Sequence, residues 1–549
     1  MTRRTLLAGT GLLSPLAATA NLTRLPDRVV AYMETAAVEL KLAGDIWRGS
    51  DLRFSTVPVE NELVLKLEAS TSAVKRIFLR WQGGFASGTR YLGDAWERSY
   101  GELEWRGLVP HRTLPWYFLA SDGRRTSGCG VATGAGAFAC WMVDAAGVSL
   151  WLDLRCGAAG VLLGGRTLDV ATIHSVESRE GESPFMVAHR LCHALCAKPK
   201  LPGTPLYGWN TWYYTFGKGM TAEGVLGDAH ALSDLAPTRG ARPFLIIDEG
   251  WGASAAGAGP WTGGGAGFPD MPGLAAAIKK AGVRPGIWVR PLYTTEAVPA
   301  RWRLEGNRLQ RHVPKGFAVL DPSVPEALDH VRENLRRIAG WGYELIKHDY
   351  TTFEILGRWG FQMDADLTND GWHFADRGRT TAEIIRNFYG AIRQAAGNAL
   401  LIGCNTVGHL GAGLFEMQRI GDDNGIDWDR TRRMGLNALA FRMPQHNTFF
   451  TVDADCVTLS KNVPPAMGSQ WLDLLAASGT LLFVSARPSE LDVRMRASIR
   501  RAFETVARPQ QAAEPLDWLD SATPAMWRTN SGIRKYDWFG MAGVSPLVK

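Results

Sequence analysis

Beyond its first twenty residues the chain has no apolar run long enough to cross a bilayer as a helix. Runs of lysine and arginine interleaved with aromatics are also missing. The excess charge of +6 is spread over 549 residues, so nothing marks a nucleic-acid surface and none is expected as a partner. The seven cysteines fit no zinc-site spacing, and their odd number leaves at least one thiol unpaired. Cys192 and Cys196 flank a histidine on one candidate helix face, where buried structural thiols are expected rather than a metal site.

The chain opens on Thr2-Arg3-Arg4-Thr5-Leu6-Leu7, continues mildly apolar to Leu16, and reaches Ala18-Thr19-Ala20. Paired arginines, a modest apolar stretch and a small-x-small step read as a twin-arginine signal over 1–20. The expectation is an exported protein, periplasmic or extracellular, beginning near Asn21.

Residues 21–200 read as short strands separated by glycine-rich turns, for example 76–81, 138–143 and 148–154, which suggests a β-sandwich. Within them, Tyr91-Leu-Gly-Asp-Ala-Trp-Glu-Arg98 is rich in polar and aromatic groups. It reads either as a loop reaching another domain or as a surface turn. From 201 to 507 β-like and helical runs alternate. Candidate strands are 206–214, 244–249, 286–291, 344–349, 400–405, 417–422, 449–453 and 481–485. Helical patterns include 274–281, 325–339, 381–396, 430–441, 470–477 and 491–506. Eight strand–helix units predict a (β/α)8 TIM barrel in an α/β chain. The runner-up, a doubly wound sheet, lacks a Gly-rich phosphate loop after its first strand. Residues 508–549 form a short C-terminal segment, read as a truncated β-domain or a partner of the N-terminal sandwich.

In such a barrel the reacting groups sit at the C-terminal strand ends. Those ends carry Asp248-Glu249, Lys347 and Asp349, Cys404-Asn405, Arg419 with Asp422-Asp423, and Asp453-Ala-Asp455, joined by Trp209, Trp212 and Trp251. Residues two apart on a strand share a face, so Lys347 and Asp349 point the same way and the ammonium favours an ionised carboxylate. Carboxylates and indoles gathered at one rim suit a sugar, and two acids from different strands can flank a glycosidic bond. A divalent metal ranks lower, because the Lys and Arg beside these acids repel a cation.

Tyr207-Gly-Trp-Asn-Thr-Trp212, Ile247-Asp-Glu-Gly-Trp251, Lys347-His-Asp349, Gly403-Cys404, Arg419-Ile-Gly-Asp-Asp423, Val452-Asp-Ala-Asp-Cys456 and Pro515-Leu-Asp-Trp-Leu-Asp520 occur in one order along the chain. Together they resemble the α-galactosidases of glycoside hydrolase clan D, nearest to family 36, over about 205–518. The resemblance implies a retaining α-glycosidase acting on terminal α-linked sugars of an oligosaccharide or glycoconjugate, without metal or cofactor. It implies Asp349 as nucleophile and Asp423 as acid/base. Trp209, Asp248, Glu249, Trp251, Lys347, Cys404, Arg419 and Asp453 are the implied substrate-binding residues. Glu249 departs from the family's usual aspartate by one methylene, so a sugar other than simple galactose is expected to fit best. Raffinose-synthase-like transfer and a catalytically inactive carbohydrate-binding relative stay open, as does a homo-oligomer.

Overall fold

The computed structural model describes residues 21–254, 256–308, 313–460, 462–541 and 543. The expected signal at 1–20 lies outside the described residues.

Residues 28–177 build two antiparallel sheets, one of seven strands centred on Ala73–Gln82 and one of eight centred on Glu62–Ala69 and Thr167–Glu177. Their strands carry the period-two signal of a half-buried surface. In Glu62–Ala69, Leu63, Leu65, Leu67 and Ala69 are all buried, and side chains of both sheets share one apolar core. The helix Pro184–Leu195 follows, capped by Ser183, whose Oγ accepts from the Met186 N–H and donates to Glu514 Oε1 at 2.7 Å.

The second half is organised by a nine-stranded sheet in which every pairing is parallel. Strands Tyr207–Asn210, Phe244–Ile247, Arg284–Val289, Leu345–His348, Leu400–Gly403, Met417–Arg419 and Thr451–Asp453 lie side by side in chain order. Leu482–Ser485 pairs with the first of them and Val457–Thr458 lies outside it. A parallel sheet covered on both faces needs continuous apolar runs rather than alternation. Phe244-Leu-Ile-Ile247 is such a run, fully buried along its length. Helices Ala222–Leu235, Met271–Lys280, Pro325–Gly340, Thr381–Ala396, Pro465–Ala477 and Val493–Val506 lie between and after the strands. The Thr381–Ala396 helix starts at a reciprocal cap: Thr380 Oγ1 accepts from the Glu383 N–H, and Glu383 Oε2 accepts from the Thr380 N–H.

Two expected elements differ. The first strand, expected over 206–214, ends at Asn210, because Asn210 Oδ1 takes the Trp212 N–H at 2.8 Å and turns the chain into the helical Trp212–Thr215. The aromatic run past Asn210 has strand propensity, and this local turn overrides it. The helix expected over 430–441 is a composite of Trp428–Arg430, a π-helical Thr431–Asn437 and Ala438–Arg442.

The tail forms a three-stranded antiparallel sheet over 514–535 that packs on both halves. Trp518 meets Trp105, Phe185 and Phe441 at ring-centroid distances of 5.5, 5.5 and 5.7 Å. Asn437 Nδ2 donates to the carbonyls of Leu103 and Ala522 at 2.8 and 2.7 Å. Among the described residues no helix is long and apolar enough to cross a membrane, and all seven cysteines are buried free thiols.

Candidate active site

The strand Leu345–His348 alternates as its residue types require. His348 faces the outer helices, its ring 4.6 Å from that of Phe415 and 6.0 Å from that of Tyr389. Burial pushes its imidazole pKa down to about 3, so it is a neutral core residue. Lys347 faces the other way and donates to Asp248 Oδ2 at 2.7 Å. Burial opposes the Lys347 charge, but the Asp248 carboxylate outweighs it and holds the ammonium pKa well above its ordinary value. The direct partner of Lys347 is therefore Asp248, at the end of the strand two places away across the sheet, and Asp349 feels the ammonium through space. Asp248 is fully engaged, since Asn210 Nδ2 also donates to Oδ2 at 2.7 Å and its Oδ1 takes the Glu249 N–H at 2.9 Å.

Asp349 is fixed by three donors. Trp288 Nε1 reaches Oδ2 at 3.1 Å, and the N–H groups of Tyr350 and Asn405 reach Oδ1 at 2.7 and 3.1 Å. Burial pushes its pKa up, but Lys347, Arg98 and these donors together hold it below the ordinary carboxylate value. The backbone immediately after it turns sharply, with Tyr350 at φ 62° in the left-handed region that L side chains rarely adopt.

Strand Met417–Arg419 ends one residue short of a tight turn that carries the other acids. Asp453 Oδ1 takes the Asp455 N–H at 2.9 Å, Asp455 Oδ2 pairs with Arg419 Nη2 at 2.6 Å, and the same Nη2 donates to Asp423 Oδ1 at 2.9 Å. Arg419 is thus a buried spacer between the seventh strand end and Asp423, and its Nη1 also donates to Cys404 Sγ at 3.8 Å. The adjacent acids differ. Asp422 is bound on Oδ1 by Arg98 at 2.7 Å and on Oδ2 by Arg430. The side chain of Asp423 is 38% exposed, and its cation contacts all fall on Oδ1.

Arg98 was not among the expected site residues, and it is the contribution of the N-terminal sheets to this centre. Residues 94–99 are buried here, which decides for the reaching loop over a surface turn. Ser99 bridges Gly421 in parallel, with Ser99 N–H donating to Ile420 O at 2.8 Å and Asp422 N–H to Ser99 O at 3.0 Å. Glu97 accepts from Asn405 Nδ2 and from the Gly360 N–H, and the buried pair Asp94–Arg442 (2.9 Å) anchors the segment. The Arg98 guanidinium lies 2.7 Å from Asp422, 3.7 Å from Asp423 and 4.0 Å from Glu97, with its carbon 5.4 Å from the Trp359 ring centre. The sequence signal that marks it is a dense mix of charge and aromatics with no strand alternation.

Glu249 is partly exposed, and its carboxyl and the Trp288 ring both lie against Gly257: a Cβ there would stand 2.7 Å from Glu249 Oε1 and 2.9 Å from Trp288 Cη2. Burial, then repulsion from Asp248, raise its pKa to about 7. Trp209 and Trp251 are buried to 1% and 0% exposure, and their indole N–H groups donate to the carbonyls of Ala486 and Trp288 at 3.0 and 2.9 Å. The structure places both inside the fold, where they support the strand ends, whereas Tyr350 and Trp359 are the partly exposed aromatics beside the acids.

No family model and no curated protein matches the chain. Solved structures do. The α-galactosidase from Thermus thermophilus, solved with p-nitrophenyl α-D-galactopyranoside, aligns at a TM-score of 0.60 with 17% identity, covering 93% of this chain and 99% of that one. The fold is that of the family 36 α-galactosidases. A doubly substituted form of the family 36 α-galactosidase AgaA from Geobacillus stearothermophilus, solved with raffinose, aligns at 0.58 with 14% identity over 88% of this chain and 75% of that one. The galactosidase domain of an α-galactosidase–sucrose kinase aligns at 0.56 with 15% identity over 87% and 73%.

Within this family 36 fold, Gly421 has no room for a side chain: a Cβ would lie 1.9 Å from Met434 O. Gly421→Ala is expected to cost about 1–3 kcal/mol by overpacking, because the turn that carries Asp423 must move. Thermal unfolding of the variant checks this, and a Tm within a degree of wild type refutes it.

Proposed function

We propose that the chain is a retaining α-glycosidase with a (β/α)8 catalytic barrel over 201–507, an N-terminal β-sandwich over 21–200 and a small C-terminal β-segment. Residues 451–458 supply strands at both edges of the parallel sheet, which supports the closed barrel. The observation that carries the function is the unequal treatment of two acids in one centre. Asp349 is held ionised by three donors and a nearby ammonium, and Asp423 keeps one oxygen clear of its arginines.

Asp349 attacks the anomeric carbon while Asp423 protonates the departing oxygen, giving a covalent glycosyl-enzyme. Water then attacks, with Asp423 as base, and configuration is retained. In this reading Lys347, already paired with Asp248, is the sugar-hydroxyl contact on the Asp349 side. Oligosaccharides with a terminal α-linked sugar are the substrates, and the leader supports export. The test is a panel of nitrophenyl α-glycosides with NMR of the first-formed anomer. An inverted product, or no turnover across the panel, refutes the reading.

Glu249 sets the sugar in this reading. Its carboxyl and the Trp288 ring both lie against Gly257, Trp288 holds Asp349, and in this reading the longer side chain leaves less room for a C6 arm. Simple α-galactosides are therefore expected to be slower than an α-glycoside of smaller reach, such as a pentopyranoside, and Glu249→Asp is expected to reverse that order. With its pKa raised to about 7, Glu249 is protonated below neutrality and donates a hydrogen bond to a hydroxyl there. KM is expected to rise as pH passes through 7 in wild type and to lose that inflection in Glu249→Gln. The folded state also binds this proton more tightly than the unfolded chain, so the residue's contribution to stability falls as pH climbs from about 4.5 to 7.

A further inference from the structure

The turn from Asp422 to Gly425 separates two cavities. One, of about 700 Å³, lies beside Tyr213, Phe216 and Gly425. The other, of about 610 Å³, lies between the N-terminal sheets and the catalytic half and has Asp422 in its wall. That volume falls within the about 300–1,000 Å³ typical of small-molecule pockets. Four arginines line the second cavity, Arg106 and Arg112 from the N-terminal region and Arg430 and Arg433 from the composite helix.

The carboxylates in the same wall are already engaged. Asp94 is paired with the buried Arg442 at 2.9 Å. Asp422 is shared by Arg98 and Arg430. Glu102 accepts the Tyr100 N–H at 2.5 Å, and burial pushes its pKa up, toward the neutral acid. Two arginines are left without a carboxylate. Arg112 donates only to the carbonyls of Tyr91 and Glu104, at 3.1 and 3.0 Å, which fixes its guanidinium without neutralising it. Arg433 is exposed, and its side chain makes no hydrogen bond or ion pair among the described residues. At the mouth, Phe361 is 62% exposed and its ring lies 4.9 Å from that of Tyr100, so an apolar face flanks the cations.

The cavity is cationic, aromatic-edged and one guanidinium away from Asp423. Asp422 and Asp423 are adjacent, and Arg98 touches both. We propose that this cavity is a leaving-group subsite for an anionic sugar, a uronate carboxylate or a sulfate ester, with Arg433 and Arg112 as its cationic contacts. Guanidinium forks bind both anions bidentately, and the aromatic edge takes the apolar face of the ring. The proposal rests on the α-glycosidase reading for its orientation and not for its binding.

The experiment uses the full chain carrying Asp349→Ala, so that binding is read without turnover. Titration calorimetry compares three disaccharides of one linkage: neutral, uronate-bearing and sulfated. At least tenfold tighter binding of one or both anionic probes is expected. Arg433→Glu should abolish that preference, Arg433→Lys should keep part of it, and added salt should weaken it. The two anionic arms show which anion is the ligand. Equal affinity for all three probes, or a preference untouched by Arg433→Glu, overturns the subsite. Arg433 is exposed and unpaired, so its variants are expected to fold, and far-UV circular dichroism confirms it. Turnover of nitrophenyl glycosides by the wild type tests the enzymatic reading separately: a protein that binds the anionic probe but cleaves nothing keeps the site and loses the reaction.

Discussion

Asp349→Ala is expected to lower kcat on any cleaved nitrophenyl glycoside by on the order of 10⁶-fold, as removal of a nucleophile does in well-studied enzymes. External azide should then restore part of the rate and yield a glycosyl azide of inverted configuration, because it enters the space the carboxylate leaves. The partner variant separates the roles. Asp423→Ala should lose about 10²–10⁴-fold on substrates with poor leaving groups and far less on activated aryl glycosides, and azide should not restore it in the same way. Asp422→Ala should leave the leaving-group dependence as in wild type, because both Asp422 oxygens are held by Arg98 and Arg430 and neither is offered to a substrate. If Asp422→Ala shows the steep leaving-group dependence and Asp423→Ala does not, the acid/base has been assigned to the wrong neighbour.

Arg98→Ala is expected to be the most damaging substitution outside the catalytic half. The guanidinium is buried, and although burial opposes its charge, Tyr100, Asp422, Asp423 and Glu97 together hold its pKa well above the ordinary value. Removing one partner of a buried ionic cluster leaves uncompensated charge and typically costs about 3–5 kcal/mol. Arg98 contacts both Asp422 and Asp423, so its loss also releases the turn that aims Asp423, and kcat is expected to fall together with Tm. Arg98→Lys should recover part of both. A lower Tm with kcat unchanged would remove Arg98 from the centre.

The parallel half of the fold was legible because its strands are buried on both faces and read as unbroken apolar runs ending in polar residues. Phe244-Leu-Ile-Ile247 before Asp248, and Leu345-Ile346 before Lys347, announce both the strand and its chemical end. The Lys-x-Asp spacing put Lys347 and Asp349 on one face, and in the fold the Lys347 charge helps to hold Asp349 ionised. The direct partner of Lys347 was not legible, because Asp248 lies 99 residues away along the chain and only the lateral order of strands brings the two together. Trp209 and Trp251 mislead for a related reason. A tryptophan in a strand-end motif looks the same whether its indole faces a ligand or fills the sheet, and here the carbonyls of Ala486 and Trp288 settle the matter.

The amino-acid sequence by itself determined the class of architecture and the acids that follow its strands, since these follow from periodicity and residue type over a few positions, whereas local turns such as that at Asn210 set where a strand stops. What the tertiary structure decided is which acid is free and which is bound. Asp422 and Asp423 are chemically identical neighbours, and local sequence assigns them no difference in environment. The difference comes from Arg98, which arrives from 324 positions before Asp422 on a loop of the N-terminal sheets and binds Asp422 at 2.7 Å. Charge–charge energies depend on distance and burial, and both are set by how the two halves of the chain pack rather than by the order of residues along it.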